Sequence, residues 1–158
     1  MSFKIRFANA DDMLAVHSLI TELAVYENEP KAVEISVEDL VNDGFGNQPK
    51  FKIFVAEENC AIIGMALFYE RYSTWKGKAI HLEDLIVTES KRKLGVGKAL
   101  YSQLMNFAFQ NNFKRVAWEV LDWNTNAIEF YESTGAHILK GWQVVHMTED
   151  NLKSFVKE

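Results

Sequence analysis

Between a β-rich run at residues 79–87 and a helical stretch at residues 94–111 lies Arg92-Lys93-Leu94-Gly95-Val96-Gly97. In the helical stretch Val96, Ala99, Leu100, Leu104, Phe107 and Ala108 share one face. A further strand is expected over residues 115–120, so the span from 79 to 120 reads as a βαβ unit with parallel strands and a right-handed crossover. A glycine-rich turn opening a helix lets backbone approach a ligand closely, and the unpaired first-turn amides with the helix dipole attract phosphate. Lys91, Arg92, Lys93 and Lys98 concentrate positive charge there, although a tight turn with solvated lysines is the plain structural alternative.

Two phosphate loops can be tested on these residues. A P-loop requires Gly where Arg92 stands and Ser or Thr where Ala99 stands, so that signature is absent. A dinucleotide fingerprint requires a small residue in place of Leu100, although Glu119 falls at a tolerable distance for a ribose-binding acid. The strands before the turn also read as antiparallel, unlike a doubly wound sheet.

The rest of the chain follows from periodicity. Phe3, Ile5 and Phe7 alternate with Lys4 and Arg6 as in a half-buried strand, and Asn9 can cap a helix carrying Met13, Val16, Ile20 and Leu23. Ser36 to Asp39 has the capping-box pattern of a short second helix ending near Gly44. Residues 51–57 and 61–71 predict a hairpin, followed after a turn near Trp75 by the strand at 79–87. After the strand at 115–120, a helix is expected at 125–133 and two final strands at 136–139 and 143–147. The expected order is β-α-α-β-β-β-α-β-α-β-β.

With 158 residues, 48% of them hydrophobic, the chain fits one compact domain over residues 1–158. Single Cys60 cannot form an internal disulfide, and no basic flank followed by a signal-length apolar run stands near the N-terminus, so cytoplasmic residence is expected. The longest nearly apolar run, 61–69, is far short of the roughly 20 residues of a membrane helix. A formal charge of −5, from 22 acidic and 17 basic side chains, opposes general nucleic-acid binding and suits a cationic substrate. His17, His81, His137 and His146 have no zinc-site spacing, and core or surface roles are expected for them.

Arg92-x-x-Gly95-x-Gly97, placed after a strand and opening a helix, resembles the acetyl-CoA signature of the Gcn5-related N-acetyltransferase (GNAT) family, and the element order is similar to that family over the whole chain. The resemblance implies an α/β (α+β) fold with a mixed, mostly antiparallel sheet, flanked by helices and splayed between its fourth and fifth strands. It implies that the amides of Lys93, Leu94, Gly95, Val96, Gly97 and Lys98, with Arg92, hold the CoA pyrophosphate, and that the backbone of Leu85, Ile86 and Val87 pairs with the pantetheine arm. An amide at or next to Leu85 would donate to the thioester oxygen.

Glu83 and Asp84 are adjacent carboxylates in an apolar strand, so alternation is expected to send them to opposite faces. A carboxylate buried without a partner is costly and its pKa rises, which suits a general base; an ion pair elsewhere is the alternative. The need for a base is quantifiable: a primary amine of pKa about 10.4 is only about 0.04% neutral at pH 7, an offset of roughly 4.6 kcal/mol. The block from Asn124 to Ala136 resembles the family's N-x-x-A-x-x-x-Y-x-x-x-G-A segment, which implies that Tyr131 protonates the departing thiolate and that Asn124, Asn126 and Ala127 approach the cofactor. An aromatic packed against Phe130 is the structural alternative for Tyr131.

Residues 19–27, Asp43-Gly44-Phe45-Gly46, Trp75-Lys76-Gly77-Lys78, Leu82-Glu83-Asp84-Leu85 and Val120-Leu121-Asp122-Trp123-Asn124 are similar to the diamine acetyltransferase group, which includes spermidine/spermine and thialysine N-acetyltransferases. That similarity implies an amine site lined by Tyr26, Glu27 and Trp75, with Glu83 as base and Asp84 holding the cation, in a homodimer without metal. Polyamine-acetylating members carry acids where Ser73 and Lys140 fall, so a small mono- or diamine such as a lysine analogue is expected over spermine. The competing readings are a non-catalytic CoA-binding sensor and a dinucleotide-binding protein.

Overall fold

The computed structural model describes residues 2–157, which divide between Glu119 and Val120 into two compact units. In the first unit five strands lie in sequence order: β1 (Lys4–Phe7), β2 (Lys52–Glu58), β3 (Ala61–Ser73), β4 (Gly77–Val87) and β5 (Arg115–Ala117). The first four pair antiparallel and β4–β5 is parallel. The parallel ladder joins only Ala79, Ile80 and His81 to Arg115, Val116 and Ala117. From Leu82 onward β4 has no partner on that edge among the described residues, so the sheet opens there as expected.

Helices α1 (Met13–Tyr26) and α2 (Val37–Phe45) cover one face and α3 (Val96–Gln110) covers the other. A short 3-10 turn precedes α1, with Asn9 capping it and Asp12 closing the box, while Ser36 and Asp39 cap α2 reciprocally as expected. Phe54, Phe68, Ile80 and Leu82 pack on Val96, Leu100 and Leu104 of α3. On the opposite face Ile53, Val55, Met65, Leu67 and Ile86 pack on Met13, Val16, Leu19 and Leu40. The Arg6 guanidinium ties β1 to both sides, at 2.6 Å to Glu57 and 2.7 and 2.9 Å to Asp12.

Residues 79–87 contain a break in phase. Ile80 and Leu82 face α3, but Ile86, also even-numbered, faces α1 and α2. A pure two-residue repeat would keep all three on one side. The ladder explains the switch: Phe68 pairs with Leu82 and Leu67 with Asp84, leaving Glu83 as the extra residue of a β-bulge.

The second unit holds α4 (Thr125–Ser133) and α5 (Glu149–Val156). Helix α5, capped by Thr148, was not anticipated, and the strands expected at 136–139 and 143–147 do not form; β5 also ends at Ala117 rather than Val120. The β-branched and aliphatic residues of 136–147 favour a strand locally, but no ladder partner meets its backbone groups among the described residues.

Candidate active site

The bulge brings the two carboxylates together. Glu83 and Asp84 both line a cleft of about 550 Å³, with Ile20 of α1, Leu40 and Asp43 of α2, and Leu67 and Tyr69 of β3. This corrects the expectation of opposite faces: one residue inserted into the ladder cancels one step of alternation, so consecutive side chains serve the same cleft. Asp84 is half-buried and its pKa is pushed up to about 6, first by desolvation and then by the negative charges of Glu83 and Glu27. Glu27, at the end of α1, is likewise pushed up by desolvation. Glu27 and Glu83 are thus near enough to act on Asp84 by charge, although Glu27 does not itself line the cleft.

Tyr26, next to Glu27 in sequence, has the Arg92 guanidinium over its ring, 4.9 Å from the centroid, and does not line the cleft. Trp75 is not brought in: it lies in the β3–β4 turn, 80% exposed, and does not line the cleft. Asp39, Asp43, Lys50 and Tyr69 line the cleft and were not singled out from the sequence. Asp39 is committed to its cap, accepting from Ser36 N and Oγ. Residues 39 and 43 lie one helical turn apart, the only sequence signal that would have linked them.

The turn before α3 is shaped by its backbone. Gly95 caps the helix at φ +83°, and Lys93 is also left-handed at φ +62°. Backbone amides from Lys93 to Lys98 donate to no loop or cap carbonyl among the described residues, as an anion site at a helix start requires. A Cβ on Gly97 would meet only a Val87 methyl, at an ordinary 3.6 Å, so packing within the protein does not demand glycine there. Arg92 differs from a simple phosphate clamp: its Nε donates to the Val87 carbonyl at 3.0 Å and its guanidinium lies 3.5 Å from Glu22. Glu22 also accepts from Thr88 Oγ1 and Glu89 N, so it anchors the turn to α1. Lys91 pairs with Glu58. Leu85, Ile86 and Val87 lie on the part of β4 whose outer edge has no strand partner among the described residues, which leaves their backbone open to an extended ligand on that side.

Within the second unit, Asn124 caps α4 by accepting from the Ala127 amide at 3.3 Å, which gives Asn124 a structural task alongside the expected one. Asn126 lies in the first turn of α4. Tyr131 lies further along α4, its ring 5.4 Å from Phe130.

Residues 15–136 match the family model described as Acetyltransferase (GNAT) family. The chain therefore belongs to the GNAT acetyltransferase family. It is 36% identical over 149 residues to a thialysine N-epsilon-acetyltransferase of Bos taurus, covering 87% of this chain and 88% of that one. It is 34% identical over 160 residues to human spermidine/spermine N(1)-acetyltransferase-like protein 1, covering 95% of this chain but spanning only 23% of that protein. These relatives match the diamine acetyltransferase group. Among solved structures, an integron cassette protein from the mobile metagenome of V. cholerae superposes with TM-score 0.82 at 26% identity, covering 100% and 99% of the two chains.

Proposed function

We propose that this chain is an acetyl-CoA-dependent N-acetyltransferase that acts on a primary amine of a small amine, diamine, polyamine or lysine analogue such as thialysine, by direct attack in a ternary complex. The observation that carries this reading is the bulged strand: Glu83 and Asp84 face one acidic cleft, while the same strand ends at the turn whose amides are open for an anion. Acetyl-CoA supplies an acetyl thioester. The Lys93–Lys98 amides would hold its pyrophosphate, and the free edge of Leu85–Val87 its pantetheine arm.

Glu83 then takes the proton that the substrate ammonium must lose, directly or through water, and Asp84 and Glu27 attract the cation. A lysine-like amine is almost entirely protonated at pH 7, so this transfer removes an offset of roughly 4.6 kcal/mol. Tyr131 donates its phenolic proton to the leaving thiolate, whose pKa of about 8.5 lies near enough to about 10 for useful donation. Support for Tyr131 is its match to the family segment and its place on α4. We assign no metal; no group of three or more potential ligands occurs among the described residues.

The two units are proposed to form one catalytic domain, since the family match runs across their boundary. A homodimer in the cytoplasm completes the reading; Trp142, Val144 and Val145 leave apolar surface exposed that a second copy would cover. No described helix is long and apolar enough to cross a membrane.

A thiol-release assay with acetyl-CoA and spermidine, thialysine, free lysine and lysine-terminated peptides tests the reading. Release with at least one amine is expected. Tight CoA binding without release for any amine would favour a sensor, and binding of NAD(P) but not acetyl-CoA would overturn the cofactor assignment.

A further inference from the structure

His81 has no part in the chemistry described so far, yet it sits where the sheet opens. It is the last β4 residue in the parallel ladder, opposite Ala117, and across the antiparallel ladder it faces Tyr69. Its side is set by register: Tyr69 lines the acidic cleft, and the two rings lie 5.2 Å apart at 34°. Only 9% of His81 is exposed. Its Nε2 lies 3.5 Å from Glu83 Oε2, while its Nδ1 is buried with no hydrogen-bond partner among the described residues.

The tautomer follows from these contacts. A proton on Nδ1 would be a buried donor without an acceptor and would leave the Nε2 lone pair facing a carboxylate, two unfavourable arrangements. A proton on Nε2 points at an anion instead. The 3.5 Å separation is longer than the roughly 2.7–2.9 Å of a charge-assisted bond, and the half-exposed Glu83 side chain is the partner with room to close it. Tyr69 restrains the same carboxylate from the neighbouring strand: its phenol is pushed to higher pKa by burial first and by Glu83 next, with Arg71 and Glu119 contributing opposed smaller effects.

We propose that His81 is a positioning residue for Glu83: its Nε2–H holds one carboxylate oxygen at the point where β4 and β5 part, so that the other faces the amine. The inference rests on the reading of Glu83 as the base. It adds to the core role expected of His81, which its burial bears out; the only sequence signal for the added role is the two-residue spacing from Glu83.

Steady-state kinetics on a double-mutant cycle would test it. His81→Leu should lower kcat about tenfold with the Kd for CoA unchanged, whereas His81→Gln, whose amide can donate from a similar place, should stay within about threefold of wild type. In a Glu83→Gln background, His81→Leu should cost almost nothing more. Losses that multiply, or a Gln variant as impaired as the Leu variant, would overturn the positioning role. A Glu83→Gln enzyme with wild-type kcat would instead remove Glu83 as base, and the inference would fall with it. A measurement that needs no variant is the imidazole ¹⁵N spectrum of the intact protein: a protonated Nε2 and bare Nδ1 are expected, and the opposite tautomer would sink the proposal.

Discussion

Strand β4 and the stretch from residue 136 to 147 are both rich in β-branched and aliphatic residues, but they end in different states. β4 is hydrogen-bonded to β3 along its length and to β5 at its start, and it buries Ala79, Ile80, Leu82 and Ile86. Residues 136–147 form no strand, and Val145 is 87% exposed. A strand therefore depends on neighbours that satisfy its backbone, not on its own pattern. The same dependence gives β4 its paired acids, because pairing with β3 creates the bulge that turns Glu83 and Asp84 to one cleft.

The largest expected effect asks whether function is divided between the paired strand and the C-terminal unit. Glu83→Gln and Tyr131→Phe should each lower kcat by about 10² to 10⁴-fold in stopped thiol-release assays, the scale of a lost proton-transfer group. A normal kcat for Tyr131→Phe, where chemistry limits turnover, would confine the chemistry to β4.

Stability against pH sharpens the cost of the acidic cluster. The folded pKa of Asp84 is raised from 3.8 to about 6, so its folded-state advantage is complete below the unfolded value and is lost as pH rises through about 6. Asp84→Asn should therefore stabilise the protein above pH 6, on the order of 3 kcal/mol, and change little below pH 4 in denaturant melts. A pH-independent change would show that Asp84 is not the titrating group.

Core truncation compares the two regions directly. Ile80→Ala should cost about 3 kcal/mol by chemical denaturation, because Ile80 is fully buried between the sheet and α3. Val145→Ser, at an exposed position, should stay within about 0.5 kcal/mol by the same measurement, while light scattering should show the proposed dimer weakened. Equal costs would mean that residues 136–147 are packed in solution. Between these lies Gly97→Val, expected to weaken acetyl-CoA binding about tenfold in titration calorimetry with little loss of melting temperature, since its Cβ meets only Val87 at 3.6 Å.

Much of the site was legible in the sequence because its signals are local. The turn before α3, the Ser36–Asp39 capping box and the acidic pair on β4 are recognisable from residues a few positions apart. Tyr26 and Glu27 were reached through resemblance, and the charge of Glu27 acting on Asp84 is consistent with that placement. Trp75 was read from the same resemblance and lies away from the cleft, at the tip of the β3–β4 turn. Asp43 and Tyr69 were missed because they reach the cleft from α2 and β3, far from Glu83 along the chain.

The amino-acid order alone determined that a glycine turn opens α3, since positive φ at Gly95 and the helix start are properties of a few consecutive residues. Only the tertiary structure decided which way the acids point. Alternation counts residues along one strand, whereas a bulge is a mismatch between two strands, and a single inserted residue reverses every side-chain direction beyond it. That reversal brings Asp84 to the side where alternation already places His81 and Glu83, and two consecutive acids in one cleft are an arrangement that no reading of β4 in isolation contains.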